Sequence, residues 1–177
     1  MESSFALGAL FLSILAMTFD LRTARVPNWL TGGGLIAGFG VRTFLAGGAG
    51  LETALAGAVL GGGVLFIPFL VRGIGGGDVK LMAAVSAWLG IGHAVVFILA
   101  TAIAGGLWAL GYLALRKQTG EALSKMVRTI RFHLAAGLRP LEPAGEQAGR
   151  SVHLPYTLAI ASGALFVFLS VSTALWR

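Results

Sequence analysis

The chain has 177 residues, no cysteine and a formal net charge of +6, with 56% hydrophobic and 11% charged residues. Its charged share is about half the soluble norm. Together with a mean hydropathy of +0.87 this excludes a soluble globular domain, and the missing thiols exclude disulfides and thiolate metal sites. In so apolar a chain the positive balance marks a cytoplasmic membrane face, not a nucleic-acid surface.

Charge-free apolar tracts outline the expected elements. The first covers residues 3–19, and Glu2 replaces the basic start of a signal peptide, so this tract reads as a retained span. The second covers 26–41 and the third 53–71. The tract 81–115 would be about 52 Å long as one helix at 1.5 Å per residue. A hydrocarbon core is only about 30 Å thick, so two helices are expected there, parted at Gly90-Ile91-Gly92-His93. The last span is 154–176. No tract alternates in polarity, which excludes a β-barrel. The expectation is an all-α polytopic membrane protein, one domain over 1–177, built as a bundle of about six transmembrane helices.

Charge asymmetry orients that bundle. With the N-terminus outside, eleven of the thirteen basic residues face inward and only Arg42 and Arg177 face outward, a strong positive-inside signal. A single helix over 81–115 would put the basic 116–150 segment on the wrong side. Both termini are therefore expected outside. Within 116–150, Leu123, Met126, Val127, Ile130 and Leu134 share one helical face, and Glu121, Lys125, Arg128 and Arg131 the other. This pattern predicts a basic amphipathic helix anchored on the anionic inner leaflet, followed by a loop over 138–150.

Against this background two residues stand out. Asp20 and Asp78 are the only aspartates, and each adjoins a long apolar run at the same expected membrane face. Each has a plain structural explanation. Asp78 suits a helix N-cap, Asp20 an interfacial charge balanced by Arg22 or Arg25, and Gly75-Gly76-Gly77 a flexible turn or an anion nest. As a pair on one face of a bundle they read as a site. Two neighbouring carboxyls cannot both ionise cheaply and so share a proton. One can then act as base on a water while the other donates to the carbonyl under attack, which hydrolyses a peptide bond without metal or cofactor. The glycines before Asp78 would allow tight backbone geometry and close approach of another chain.

The same residues carry a family resemblance. "FDLRTARVPNWLT" (19–31) resembles the first motif of type IV prepilin peptidases, and Gly75-Gly76-Gly77-Asp78 matches their Gly-x-Gly-Asp motif, followed by Val79 and Lys80. "HLPYTLAIASGAL" (153–165) resembles their proline-containing final helix. The resemblance implies a membrane aspartyl endopeptidase that cuts the short basic leader from prepilins or pseudopilins at the cytoplasmic face of the bacterial inner membrane. Asp20 and Asp78 would be its catalytic pair, with Gly75, Gly77, Lys80, Pro27 and Asn28 binding substrate or shaping the site. Larger members add a cysteine-bearing cytoplasmic region linked to N-methylation. This cysteine-free chain resembles instead the short peptidase-only members that serve Flp/Tad-type pili. Pro27 also suits the first turn of a helix, and Asn28 could bond its beginning. Lys80 could equally serve the positive-inside bias, and His93 is expected at an outer turn, far from the aspartates. Two rival classes remain: a small proton-coupled carrier, whose acids would lie near the midplane, and a noncatalytic pilus-assembly scaffold.

Overall fold

The computed structural model describes residues 2–70, 74–115 and 156–174. The expected amphipathic helix and loop of 116–150 lie outside the described residues. Four helices form: α1 (Glu2–Thr23), α2 (Asn28–Leu70), α3 (Gly76–Leu115) and α4 (Tyr156–Ala174). All four are long and apolar enough to cross a membrane, and no strand occurs among the described residues.

This count corrects the expectation of six helices. α2 has 43 residues and α3 has 40, so straight versions would measure roughly 60 Å or more. Neither is straight. The backbone leaves helical geometry at Gly47 (φ 63) in α2 and at Gly90 (φ 67) in α3, a left-handed conformation that only glycine adopts without a steric cost. One residue therefore redirects the axis, and no polar loop is needed between the arms. The break expected at residues 90–93 falls at Gly90. The one expected between 41 and 53 is Gly47, with helix resuming at once on both sides.

α3 is the hub, packed against α1, α2 and α4. Its fully buried Leu81, Met82, Val85 and Phe97 meet Ala9 and Ala16 of α1, Leu65 of α2, and Ile160 and Val167 of α4 in one core. Small residues set the spacing, as expected where apolar lipid provides little drive for helix association. A Cβ on Gly61 of α2 would meet the Met82 carbonyl of α3 at 2.8 Å, and one on Gly163 of α4 would meet the Phe97 carbonyl at 3.1 Å. Large apolar side chains point outward instead, Phe44 at 89% and Ile36 at 71% exposure, as contact with lipid requires.

At one end of the bundle, the end of α1 and the starts of α2, α3 and α4 come together. At the other, Glu2 of α1 meets Arg42 of α2 and His93 of α3. His93 thus lies far from Asp20, which is a further 18 residues along α1, about 27 Å.

Candidate active site

Asp20 lies in the last turn of α1. The Ala24 amide donates to the Asp20 carbonyl at 2.7 Å, closing that turn. Ala24 itself is left-handed (φ 52), a conformation that costs a non-glycine residue on the order of 1–2 kcal/mol. It ends the helix and turns the chain toward Arg25, Val26 and Pro27. Pro27 then takes the N-cap position of α2, not its first turn, since its carbonyl accepts from the amides of Leu30 (3.1 Å) and Thr31 (3.3 Å). The Asn28 side chain does not bond its own helix start. Its Oδ1 accepts from Lys80 Nζ at 3.0 Å, tying α2 to α3.

Asp78 sits in the first turn of α3. The Gly75 carbonyl accepts from the amides of Asp78 (3.1 Å) and Val79 (3.4 Å), so Gly75, not Asp78, occupies the capping position. In that first turn the helix dipole favours a carboxylate. The surrounding glycines are less constrained than the sequence suggests. Neither Gly75 nor Gly77 has a positive φ. A Cβ on Gly77 would touch Val26 at 3.7 Å, and one on Gly75 would lie 3.4 Å from Asp78 Oδ2, both ordinary contacts. The neighbour of Gly77 is the α1–α2 link, not the body of another helix.

These pieces enclose a cavity of about 270 Å³ lined by Asp20, Ala24, Arg25, Val26, Asn28, Gly75, Gly77 and Asp78. Four of the residues singled out in the sequence thus join Asp20 or Asp78 at one wall or the other: Asn28, Gly75 and Gly77 line the space, and Lys80 braces it through Asn28. Pro27 is not among the lining residues, although its neighbours Val26 and Asn28 are. Unlike two fully solvated acids, Asp20 is buried (7% exposed), and its Oδ2 accepts a 2.7 Å hydrogen bond from Thr157 Oγ1 of α4. Next to Thr157, half-buried Tyr156 lies within the electrostatic reach of Asp78. Thr157, Tyr156 and Ala24 carry no sequence signal of a role at the site, and Arg25 is expected there only as a charge balancing Asp20. The one hint for Thr157 and Tyr156 is their place directly after Pro155 in the last span.

Chemically, the arrangement provides two carboxyl groups from separate helices on one cavity with room for water. One buried carboxyl is held by a hydroxyl donor. Such a pair can take a proton from water and give one to a leaving group.

Comparison with a known family points to the same class of chemistry. The profile of the type IV leader peptidase family matches residues 7–110, a stretch that includes both aspartates, the α1–α2 link and the glycines before Asp78. No curated protein and no solved structure matched the chain. The matched stretch is more than half of the sequence, and the chain therefore belongs to the type IV leader peptidase family, which makes it a protease of the aspartic type.

Proposed function

We propose that this protein removes the short basic leader from Flp-like prepilins or pseudopilins at the cytoplasmic face of the bacterial inner membrane, with Asp20 and Asp78 as its acid–base pair. The observation that carries this reading is the convergence of the two aspartates, on different helices, onto one cavity at one end of the bundle. With one proton shared between them, the ionised carboxyl takes a proton from water as its oxygen attacks the scissile carbonyl. The protonated carboxyl donates to the carbonyl oxygen, and the tetrahedral intermediate collapses as a proton passes to the leaving amine.

Each arm of the kinked α2 and α3 would cross the bilayer once, giving six crossings with both termini outside. The basic residues support that orientation. Arg25 lines the cavity and Lys80 braces it, whereas Arg42 lies at the opposite end beside Glu2. A basic leader held in the cytoplasm by the positive-inside bias would reach such a site while its apolar helix stayed in the bilayer. A proton-coupled carrier fits less well, because its acids should lie near the midplane and these lie at helix ends. In this reading the chain, which has no cysteine, trims its substrate without methylating the new amino terminus.

The test is cleavage of a leader-bearing pilin by the purified protein in liposomes. Asp20→Asn and Asp78→Asn should each reduce cleavage by at least about 100-fold, because an amide can serve neither as base nor as acid. Cleavage by either variant at near wild-type rate refutes the pair.

A further inference from the structure

Many of the hydroxyl groups of this bundle bond within their own helix. Ser13, Thr18, Thr43, Ser162 and Thr173 each donate to the backbone carbonyl four residues earlier, and Thr31, Thr53 and Ser170 to the one three residues earlier. This is the usual way for a helical hydroxyl to satisfy itself in an apolar setting. Thr157 differs. Its hydroxyl donates to a side chain, reaching Asp20 Oδ2 across 137 positions of sequence at 2.7 Å. Thr157 is fully buried and Asp20 nearly so.

Its place in α4 permits this. As the second residue of the helix, it has no carbonyl one turn back within α4 to bond. The helix beneath it is seated closely: Gly163 lies against Thr101 and Phe97 of α3, and a Cβ on Gly105 of α3 would meet Ala159 at 3.3 Å. A β-branched side chain on a fixed helix has few rotamers, so the hydroxyl is aimed by the packing of α3 on α4. Asp20 needs such a partner. It lies at the C-terminal end of α1, where the helix dipole opposes a negative charge, and a buried carboxylate without hydrogen bonds is costly.

We propose that Thr157 is a positioning residue for the peptidase reaction, fixing the Asp20 carboxylate through its Oδ2 in the orientation from which it acts. The proposal rests on the reading of Asp20 as catalytic. It gives the final helix a part in the chemistry although that helix lies outside the stretch matched by the family profile.

The test compares kcat and KM for leader cleavage in Thr157→Val and Thr157→Ser. Valine keeps the shape and loses the hydroxyl, while serine keeps the hydroxyl and loses the methyl. Loss of a hydrogen bond to a charged group predicts that kcat falls about 10- to 100-fold in Thr157→Val with KM within about threefold of wild type. Thr157→Ser should recover kcat to within about threefold. A packing role predicts the reverse order, so full activity in Thr157→Val, or equal defects in Val and Ser, overturns the proposal. If Thr157→Val does not elute as wild type in detergent, Thr157→Ala replaces it. Alanine and serine both lack the methyl, and an alanine variant as active as serine again overturns the proposal. Asp20→Asn run alongside separates the two readings. An active Asp20→Asn refutes the site itself, whereas an inactive one beside a fully active Thr157→Val refutes only the part given to Thr157.

Discussion

Arg42 offers the strongest test of how the bundle holds its shape, because it is a buried cation in an apolar setting with partners at the end of a broken helix. Its Nε donates to the Trp88 carbonyl at 2.8 Å and its Nη2 to the Leu89 carbonyl at 2.7 Å. Both carbonyls directly precede Gly90, where the kink removes the amides that would otherwise bond them. Nη1 reaches Thr53 Oγ1 at 3.3 Å, Nη2 reaches Glu2 at 3.4 Å, and the guanidinium lies 4.2 Å from the centre of the Phe5 ring. In Arg42→Met the buried cation and its desolvation cost disappear together, and half-exposed Glu2 can return to water. The two backbone carbonyls have no such escape, and each orphaned group costs about 1–3 kcal/mol. A net loss of about 4 kcal/mol follows, which at roughly 2–4 °C per kcal/mol for a chain of this size lowers the apparent Tm by about 8–16 °C. Arg42→Lys should recover less than half of that, because one ammonium cannot bridge two carbonyls and a hydroxyl as a planar fork does. Thermal unfolding in detergent, followed by tryptophan fluorescence, measures both variants. A Met variant within about 2 °C of wild type, or a Lys variant equal to wild type, would show that Arg42 does not hold the break.

Two further outcomes bear on the site. In this cysteine-free chain, Asp20→Cys combined with Asp78→Cys should be joined efficiently by a short thiol crosslinker, whereas Asp20→Cys with His93→Cys should not, since His93 lies by Glu2 at the other end of α1. Equal yields from the two pairs would contradict the shared cavity. Mass spectrometry of a pilin trimmed by this protein in the presence of S-adenosylmethionine should show an unmodified amino terminus. A mass increase of one methyl group would contradict the trimming-only reading.

What the sequence made legible depended on local rules. An aspartate in an apolar chain is conspicuous because its cost is intrinsic to the residue, and Asp20 and Asp78 were found that way. The Gly90 break was legible because a 35-residue apolar tract cannot cross about 30 Å of hydrocarbon once. The helix count was not, because it depended on whether Gly47 and Gly90 interrupt the hydrogen-bonded spiral or only bend it. From the sequence Arg42 is only one of two outward basic residues, since nothing local to it reports that Trp88 and Leu89 present bare carbonyls 46 and 47 positions away. Thr157 escaped notice for the same reason: its partner lies on the first helix, and a threonine after a proline has an adequate local role without it. Gly77 and Pro27 are the converse case: Gly77 lines the cavity with only an ordinary contact to Val26, and Pro27 caps α2. Glycine and proline announce backbone geometry, but only the packed chain shows whether a neighbour uses it.

The two aspartates stand in opposite electrical settings. Asp78 is in the first turn of α3, where the exposed amides of the helix start favour negative charge. Asp20 is in the last turn of α1, where the exposed carbonyls oppose it. A designer following helix rules would place the first and avoid the second, and local rules tend to be broken where function requires it. Antiparallel ends are also what allow two carboxyls from separate helices to meet at one cavity without either helix leaving the bundle. In the proposed reaction this inequivalence would help the pair to divide acid from base work. The price of the arrangement falls on Asp20, and the structure answers it there, with a buried threonine hydroxyl on Oδ2.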